Sequence, residues 1–326
     1  MRVVHHPSEL PRTPRGCCVA WGMFDGVHLG HQHVIRSALN DALTHGAPSA
    51  VLTFDPHPLR VVWPERAPRL LQPLAQRLRR FAELGVGTTL LHPFTPEIAR
   101  WSGEQFIRHL VTEAGGVRSL NVGEGFQFGH GRSGNVSLLR ELGRELGFSV
   151  HVAPPVALGG DVVSSSRIRQ CLREGRLEQV AELLGRPYAL SGMVQTGDQR
   201  GRQLGFPTAN LNVDGLELPP FGVYAARVRR MDETAPADEW PAVLNVGVRP
   251  TVSASGGEPF VRFEVHLLGF QGDLYGQELE VTLVEFLRAE RRFESLDALR
   301  DQIARDCESA VRSEERRVGK ECRSRW

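Results

Sequence analysis

Residues 201–211, GRQLGFPTANL, place oxygen-bearing side chains beside a glycine-rich, cationic loop. Glycines in this loop let backbone N–H groups approach phosphate oxygens, and Arg200 and Arg202 supply charge-assisted donors. Thr208 and Asn210 stand two residues apart, so in an extended segment they point the same way and offer Mg²⁺ hard oxygen ligands beside phosphate and water. The pattern predicts a metal-nucleotide site, and a turn-rich surface hairpin is the alternative that spacing alone leaves open.

A second glycine-punctuated loop lies near the amino terminus, in VAWGMFDGVHLGHQ at residues 19–32. An apolar run followed by glycines and a helical pattern predicts a strand, a phosphate loop and a helix N-terminus. His28 and His31 flank Gly30, and each imidazole can donate to triphosphate oxygens and stabilise charge developing at the α-phosphorus. Helix-capping or core histidines are the alternative interpretation.

The organisation of the chain indicates two domains that position these loops, because 326 residues exceed the roughly 100 to 200 of a typical domain. Apolar runs at residues 17–20, 50–54, 88–91 and 119–122 alternate with helical stretches at 32–44, 72–84, 95–114 and 167–184. This alternation predicts a parallel, Rossmann-like α/β sheet. After the break at residues 185–187, runs at 188–195, 222–229, 242–246, 261–267 and 279–286 predict a small antiparallel barrel, closed by a helix at 295–310.

Composition excludes several classes of function. The 39 Lys and Arg residues nearly balance 38 Asp and Glu residues, so no overall field recruits nucleic acid or an anionic membrane. The amino terminus has no apolar signal segment, and no run approaches the roughly 18 apolar residues of a membrane span. We expect a cytoplasmic protein with small-molecule partners. The cysteines form no C-x-x-C pair and no zinc spacing, and we assign no chemistry to Cys17, Cys18, Cys171, Cys307 and Cys322.

Further motifs in the second half indicate what the loop at residues 201–211 could bind. They are NVGVRPT at 245–251, Glu264 and His266, DLYG at 273–276, and FLR at 286–288 with Glu290. With PTAN, this order resembles the riboflavin kinase domain. The resemblance implies transfer of the ATP γ-phosphoryl group to the ribityl 5′-hydroxyl of riboflavin, with Mg²⁺ on Thr208 and Asn210 and Glu264 as general base. A cross-strand ion pair is the alternative for Glu264. Nucleotide or flavin contacts are expected from Gly201, Arg202, Pro207, Ala209 and Arg288.

The first half carries its own set of motifs: TFDPHP at 53–58, VGEGFQFG at 122–129 and SSSRIR at 164–169. Together with the H-x-G-H loop they resemble the adenylyltransferase module of prokaryotic bifunctional FAD synthetases. The resemblance implies that FMN is joined to the AMP part of ATP with release of pyrophosphate, and that His28 and His31 contact the ATP phosphates. The serine run is otherwise an ordinary N-cap. Expected binding residues in this half are Gly22, Phe24, Asp25, Gly30, Ser164, Ser165, Ser166 and Arg167.

Two glycines depart from the family pattern, Gly125 where Asp or Asn is usual and Gly269 where Asp is common. We expect both activities, yielding FMN and then FAD. The alternatives are an impaired adenylyltransferase half that leaves a riboflavin kinase only, or a flavin-sensing protein without turnover. Sequence does not distinguish Mg²⁺ from Mn²⁺ or give the oligomeric state.

The end of the chain is unlike the rest, and RSEERRVGKEC at 312–322 resembles the translation of a common short-read sequencing adapter. We predict an adenylyltransferase domain at 1–184, a kinase domain at 185–311 and a non-native tail at 312–326. The tail has six basic and three acidic residues, so without it the formal net charge changes from +1 to −2. No basic-tail partner follows from it.

Overall fold

The computed structural model describes residues 1–196, 201, 204–232, 238–248 and 261–324, with the side chains of the last helix described through residue 316. The chain forms two compact units. The first contains Met1–Leu70 and Leu74–Ser165, and the second contains Leu71–Pro73 and Ser166–Trp326. The domain boundary predicted between residues 184 and 185 stays a prediction.

The first unit is built on six parallel strands, β1 (Arg2–Val4), β2 (Cys17–Trp21), β3 (Ser49–Asp55), β4 (Thr88–Pro93), β5 (Val117–Gly123) and β8 (Ser149–Ala153). Their order in the sheet is β1-β4-β3-β2-β5-β8. The chain runs from β2 to β3 and β4 on one side and to β5 on the other, so strand order reverses between β2 and β5. In open α/β sheets this reversal, at the carboxyl ends of the strands, is where ligands bind.

Helices α1 (Leu29–His45), α3 (Leu74–Glu83), α4 (Gly103–Ala114) and α5 (Val136–Leu146) contribute buried residues to the cores on this sheet, whereas the short α2 (Pro58–Val62) has none. Two short ribbons complete the unit, β6 (Gln127–Phe128) with β7 (Gly134–Asn135), and β9 (Ala157–Leu158) with β10 (Asp161–Val162). All five residues of β2 are buried, as expected for a strand covered on both sides. One core cluster includes Trp21, Phe106 and Leu120, and the other includes Phe24, Ile35 and Phe81.

The second unit contains a closed barrel of β11 (Ala189–Gln195), β12 (Ala209–Leu211), β13 (Gly222–Arg230), β14 (Glu239–Val248), β15 (Val261–Leu267) and β16 (Glu278–Arg288). Neighbouring strands are antiparallel in the order β11-β12-β15-β14-β13-β16. This unit also holds α7 (Leu177–Leu184), α8 (Leu296–Ser324) and, apart from its first residue, α6 (Ser165–Arg173). Helix α8 packs on β13 and β14, where Ala310 is buried in a cluster with Val223 and Val243.

The predicted fold class is confirmed, with differences in the helices. The predicted helix at 95–114 is broken, because Ser102 caps α4 by accepting from the Gln105 amide, and the Gln105 side chain accepts from the Ser102 amide in return. The predicted helix at 167–184 is two helices, separated at Gly175, which has a left-handed φ of 72°. Helix α8 continues beyond residue 310 to Ser324.

The cysteine side chains that the structure describes are Cys17, Cys18, Cys171 and Cys307, all as free thiols. Burial raises the pKa of Cys17 to about 12, which keeps that thiol protonated and unreactive. Among the described helices, none is both long and apolar enough to cross a bilayer.

Candidate active sites

The H-x-G-H loop joins the carboxyl end of β2 to the start of α1. His28 is the N-cap of that helix, and its Nδ1 accepts a hydrogen bond from the His31 amide at 3.3 Å. The two imidazoles stack, with ring centroids 3.6 Å apart and 20° between their planes. An Nδ1 that accepts leaves the proton of the neutral ring on Nε2, where it can donate. The capping role and a phosphate contact by His28 are therefore compatible.

The backbone before the histidines adopts an unusual conformation. Phe24 and Val27 have positive φ angles of 52° and 42°, a region that side chains other than glycine seldom occupy. Phe24 is buried, and its ring meets the His31 ring edge-to-face at 5.3 Å. A Cβ at Gly22 would lie 3.0 Å from the Phe24 ring, and one at Gly30 would lie 3.2 Å from His28 Cε1. Phe24 thus packs against His31, and the absence of a side chain at Gly22 and Gly30 leaves room for the Phe24 and His28 rings.

The serine run enters the same part of the first unit through Ser165. Its Oγ donates to the Asp25 carbonyl at 2.9 Å, and Asp25 itself is buried. Ser164 directly precedes α6, whereas Ser166 and Arg167 occupy its first turn and belong to the second unit. The structure therefore brings His28, His31, Asp25 and Ser165 together.

The VGEGFQFG segment forms an aromatic cluster at the carboxyl end of β2. Phe126 and Phe128 lie 4.8 and 4.7 Å from Trp21 between ring centroids. Gly125 beside them has φ 73°, and a Cβ there would meet no atom within 4 Å. Asn and Asp tolerate this left-handed region better than other side chains, so the backbone at Gly125 suits the residues usual in the family. Gly269 has φ 75° and the same open surroundings.

In the barrel, a cavity of about 370 Å³ contains most of the predicted kinase residues. Strand β12 pairs Asn210 with Glu264 of β15, and β14 pairs Asn245 with the same glutamate. Side chains paired in this way share a face of the sheet. The three polar side chains consequently form a row across three strands. The predicted residues that line the cavity are Gly201, Thr208, Asn210, Glu264 and Arg288.

The Glu-x-His spacing has a structural reason. The His266 ring donates through Nδ1 to the Pro207 carbonyl at 2.7 Å and so fixes the residue before Thr208. Arg262 Nε lies 4.0 Å from Glu264 Oε1, at the outer limit of an ion pair, and both side chains line the cavity. Glu264 therefore lies inside a cavity with Arg262 beside it, and its general-base role stays a prediction.

A second cavity, of about 610 Å³, lies on the other side of the PTAN segment. Pro207 and Ala209 line this cavity instead of the first one, while Thr208 lines both. The Phe206 amide donates a hydrogen bond to the Gly201 carbonyl at 2.8 Å. A Cβ at Gly201 would overlap the Phe206 carbonyl oxygen. Arg202 lies outside the described residues, as do residues 249–251 of NVGVRPT.

Arg288 at the end of β16 is held by a residue that the sequence interpretation missed. Its Nη2 donates to Asp306 Oδ2 at 2.8 Å and its Nε to Asp306 Oδ1 at 3.1 Å. Gln302 Nε2 donates to the same carboxylate at 2.8 Å. Asp306 is buried on α8 and lines the cavity. The only sequence signal for it is a carboxylate on the apolar face of the helix that carries Leu299 and Ile303.

A phosphate-type loop at the switch point of a parallel sheet, followed by a barrel cavity lined with threonine, asparagine and glutamate, defines a two-module nucleotide-dependent transferase. Comparisons with known proteins agree: residues 10–167 match the FAD synthetase family model, and residues 184–313 match the riboflavin kinase model. The chain belongs to the bifunctional riboflavin kinase/FMN adenylyltransferase family. Its relatives of that name in Escherichia coli K12 and Pseudomonas fluorescens are 38% and 37% identical, covering 94% and 95% of this chain and 95% and 97% of theirs.

A solved structure described as a macrolide-efflux protein from Streptococcus pneumoniae is also similar, with a TM-score of 0.77 and 29% identity over 95% of this chain and 98% of that one. That description concerns the other protein, and the family assignment rests on the family models and the sequence relatives. These confirm the predicted family and the predicted pair of transferase activities, riboflavin kinase and FMN adenylyltransferase.

Proposed function

We propose that the barrel cavity is the riboflavin kinase site and that Glu264 is its general base. The observation that carries this proposal is the cross-strand pairing of Glu264 with Asn210 inside one cavity. The ribityl 5′-hydroxyl oxygen attacks the γ-phosphorus of ATP, its proton passes to the Glu264 carboxylate, and ADP leaves with the electrons of the broken P–O bond. Arg288 stands in the same cavity to offset negative charge.

The donor set beside Glu264 fits Mg²⁺. Thr208 and Asn210 offer a hydroxyl and an amide oxygen, the hard ligands that Mg²⁺ accepts together with phosphate oxygens and water. Among the described residues there is no group of three or more His, Cys, Asp or Glu that could hold a metal alone, so substrate phosphates would complete the coordination. The ion would supply charge stabilisation for the transferring phosphoryl group.

The two cavities that meet at Thr208 suit the two kinase substrates. The hydroxyl that loses its proton must reach Glu264, which assigns riboflavin to the first cavity. ATP then approaches from the second cavity, where Phe270 and Tyr275 offer aromatic surface and Pro207 and Ala209 line the wall. Thr208 lies at the boundary, where the γ-phosphoryl group must pass from one substrate to the other.

In the first unit, we propose that His28 and His31 donate to the ATP phosphates at the N-terminus of α1. A phosphate oxygen of FMN attacks the α-phosphorus, and the bond to the bridging oxygen breaks to release pyrophosphate. The stacked imidazoles offset the charge that builds up there. Ser164 and Ser165 would form a second phosphate-binding element, and Asp25 connects to it through the Ser165 bond. The contacts expected from Ser166 and Arg167 rest on the family resemblance.

The remaining expectations follow from these reactions. We propose small-molecule partners only, ATP, riboflavin and FMN, and a cytoplasmic location, because both reactions consume ATP. We also retain the domain boundary at residues 184/185 and the adapter origin of residues 312–326. Resequencing the gene past the codon for Val311 from adapter-free genomic DNA tests the latter, and recovery of the same codons would show that the tail is native.

The experiment that tests both sites uses one polypeptide with two separate assays. Glu264→Gln should abolish FMN formation from riboflavin and leave FAD formation from supplied FMN unchanged. The double variant His28→Ala, His31→Ala should show the reverse. Each variant is the control for the other, since loss of the fold would remove both activities. Unchanged kinase turnover in Glu264→Gln, or normal FAD synthesis in the double variant, would contradict the corresponding assignment.

A further inference from the structure

One buried arginine in the first unit has no role in the chemistry described above. Arg77 lies on α3 and is only 4% exposed. Its Nη1 donates to the Met23 carbonyl at 3.1 Å, and its Nη2 approaches the Phe54 carbonyl at 3.4 Å. These two carbonyls lie where β2 and β3 end, so the guanidinium joins the carboxyl ends of neighbouring strands at the edge where the histidine loop begins.

Burying an arginine between a helix and a sheet has a large desolvation cost. Burial lowers the pKa of Arg77, while the nearby Asp25 and Asp55 carboxylates raise it. An arginine stays protonated in proteins, so a permanent charge is held away from water. An apolar side chain would serve packing alone with a smaller desolvation cost. The charge and the donor geometry therefore indicate a task beyond packing.

The peptide group between Met23 and Phe24, which Arg77 contacts, indicates what this task is. The Met23 carbonyl and the Phe24 amide belong to one planar peptide group, so holding the carbonyl restricts rotation about the N–Cα bond of Phe24. Phe24 has a positive φ of 52°, a conformation that is unfavourable for a residue other than glycine and persists only where its surroundings hold it. Thr53 Oγ1 donates to the same Met23 carbonyl at 3.2 Å.

The consequence extends to the catalytic loop through the Phe24 ring. This ring lies between Phe81 at 5.8 Å and His31 at 5.3 Å, with both contacts edge-to-face. If the 23–24 peptide rotated, Phe24 would leave this place and His31 would lose its support. His28 would then lose the ring on which it stacks.

We propose that Arg77 is a positioning residue for FMN adenylylation: it fixes the 23–24 peptide, and through Phe24 it orients the stacked His28 and His31 rings. The inference rests on the proposed phosphate contacts of these histidines. It also assigns Thr53 a supporting role, because its hydroxyl holds the same carbonyl oxygen from the neighbouring strand.

The test compares Arg77→Met, Arg77→Lys and Thr53→Val in the full chain, with FMN and ATP at varied concentration. Hydrogen bonds from charged donors are worth about 1.5–3 kcal/mol, so Arg77→Met should lower kcat for FAD formation by about 10- to 100-fold. The KM for ATP should change less than kcat, because loop orientation matters most in the transition state. Arg77→Lys keeps the charge and a single donor group that can reach one of the two carbonyls, and it should recover part of the loss.

Thr53→Val keeps the shape of the buried side chain and removes only the second donor to Met23. A neutral hydrogen bond is worth about 0.5–1.5 kcal/mol, so kcat for FAD formation should fall by about two- to tenfold. The kinase reaction of the same polypeptide should stay within twofold of wild type in all three variants. Combined with Arg77→Lys, Thr53→Val should give a loss that is not the product of the single losses, because both residues hold one carbonyl.

Leu110→Ala is the matched structural control, since Leu110 is fully buried on α4 and has no part in the histidine loop. It should lower the unfolding temperature and leave kcat per folded molecule unchanged. The inference is overturned if Arg77→Met and Thr53→Val keep wild-type kcat, or if Leu110→Ala loses kcat as they do. If the His28, His31 double variant still makes FAD, the proposed phosphate site itself is wrong; if only the Arg77 and Thr53 variants stay active, the positioning role alone is wrong.

Discussion

Replacing Asp306 by asparagine tests whether the buried carboxylate on α8 holds Arg288 in the kinase cavity. In the wild type, Asp306 Oδ2 accepts from Arg288 Nη2 at 2.8 Å, and Oδ1 accepts from Gln302 at 2.8 Å and from Arg288 Nε at 3.1 Å. Asparagine keeps one oxygen for these donors. Its amide nitrogen, however, replaces the oxygen that faces Arg288 Nη2, so a charge-assisted bond is exchanged for two opposed donors.

The magnitude follows from burial and from what asparagine retains. Removing one partner of a buried ion pair costs about 3–5 kcal/mol. The Arg288 side chain is 20% exposed, against 6% for Asp306, and the retained oxygen keeps part of the pair. We therefore expect a loss of about 2 kcal/mol, nearer the range of one charged hydrogen bond. For a unit of this size that corresponds to an unfolding temperature lower by about 4–8 °C.

Calorimetry and flavin chromatography measure the two consequences. The transition of the kinase unit should move to lower temperature. The kcat/KM for riboflavin should fall by about tenfold, because about 1.4 of the roughly 2 kcal/mol lost in stability is expected to be lost from transition-state stabilisation as well. FAD formation from supplied FMN should not change. Glu239→Gln is the matched control, because Glu239 also accepts from an arginine, Arg227, but is 42% exposed. Exposed pairs are worth about 0–1 kcal/mol. Equal effects of the two substitutions would refute the argument.

Two further predictions concern the first unit. Burial lowers the pKa of His92, so the unfolded chain takes up a proton at higher pH than the folded one, and stability should fall as pH decreases below about 6.5. His92→Gln should make the fall in unfolding temperature between pH 7.5 and 5.5 shallower, and an identical fall would rule out His92 as a cause. The Gly125→Asp variant should stay within about 1 kcal/mol of wild-type stability, because the φ of 73° and the open space at this position accept an aspartate side chain. FAD formation by this variant should be retained or increased. A large loss of stability or of FAD formation would contradict this prediction.

The local pattern of apolar and polar residues was sufficient to predict much of the fold and part of the kinase site. Continuous apolar runs predicted β2 to β5 because a strand buried on both faces needs them. The short β1 and the edge strand β8, whose burial alternates, have no such run and were missed. Period-two spacing predicted that Thr208 and Asn210 point the same way, and both line the barrel cavity. The pairing of Asn210 with Glu264 depends on the register of β12 and β15, which only closure of the barrel determines.

The two supporting residues that sequence reasoning missed share one signal. On α8, Leu299, Ile303 and Asp306 are spaced four and three residues apart, and all three line the cavity. On α3, Leu74, Arg77, Leu78 and Phe81 follow the same helical spacing, with Arg77 buried. In each helix a charged residue occupies the apolar face, where its desolvation must be offset by specific partners.

The partners differ in a way that matters for function. Asp306 meets an opposite charge, so its effect stays with the side chain of Arg288. The Arg77 guanidinium has the Asp25 and Asp55 carboxylates near it, but it donates its hydrogen bonds to the Met23 and Phe54 backbone carbonyls, so its effect is on the path of the chain into the histidine loop. A charge on the apolar stripe of a helix thus indicates a supporting residue, and its partner tells whether a side chain or a segment of backbone is being held. The substitutions of Asp306 and Arg77 test these two cases in one polypeptide.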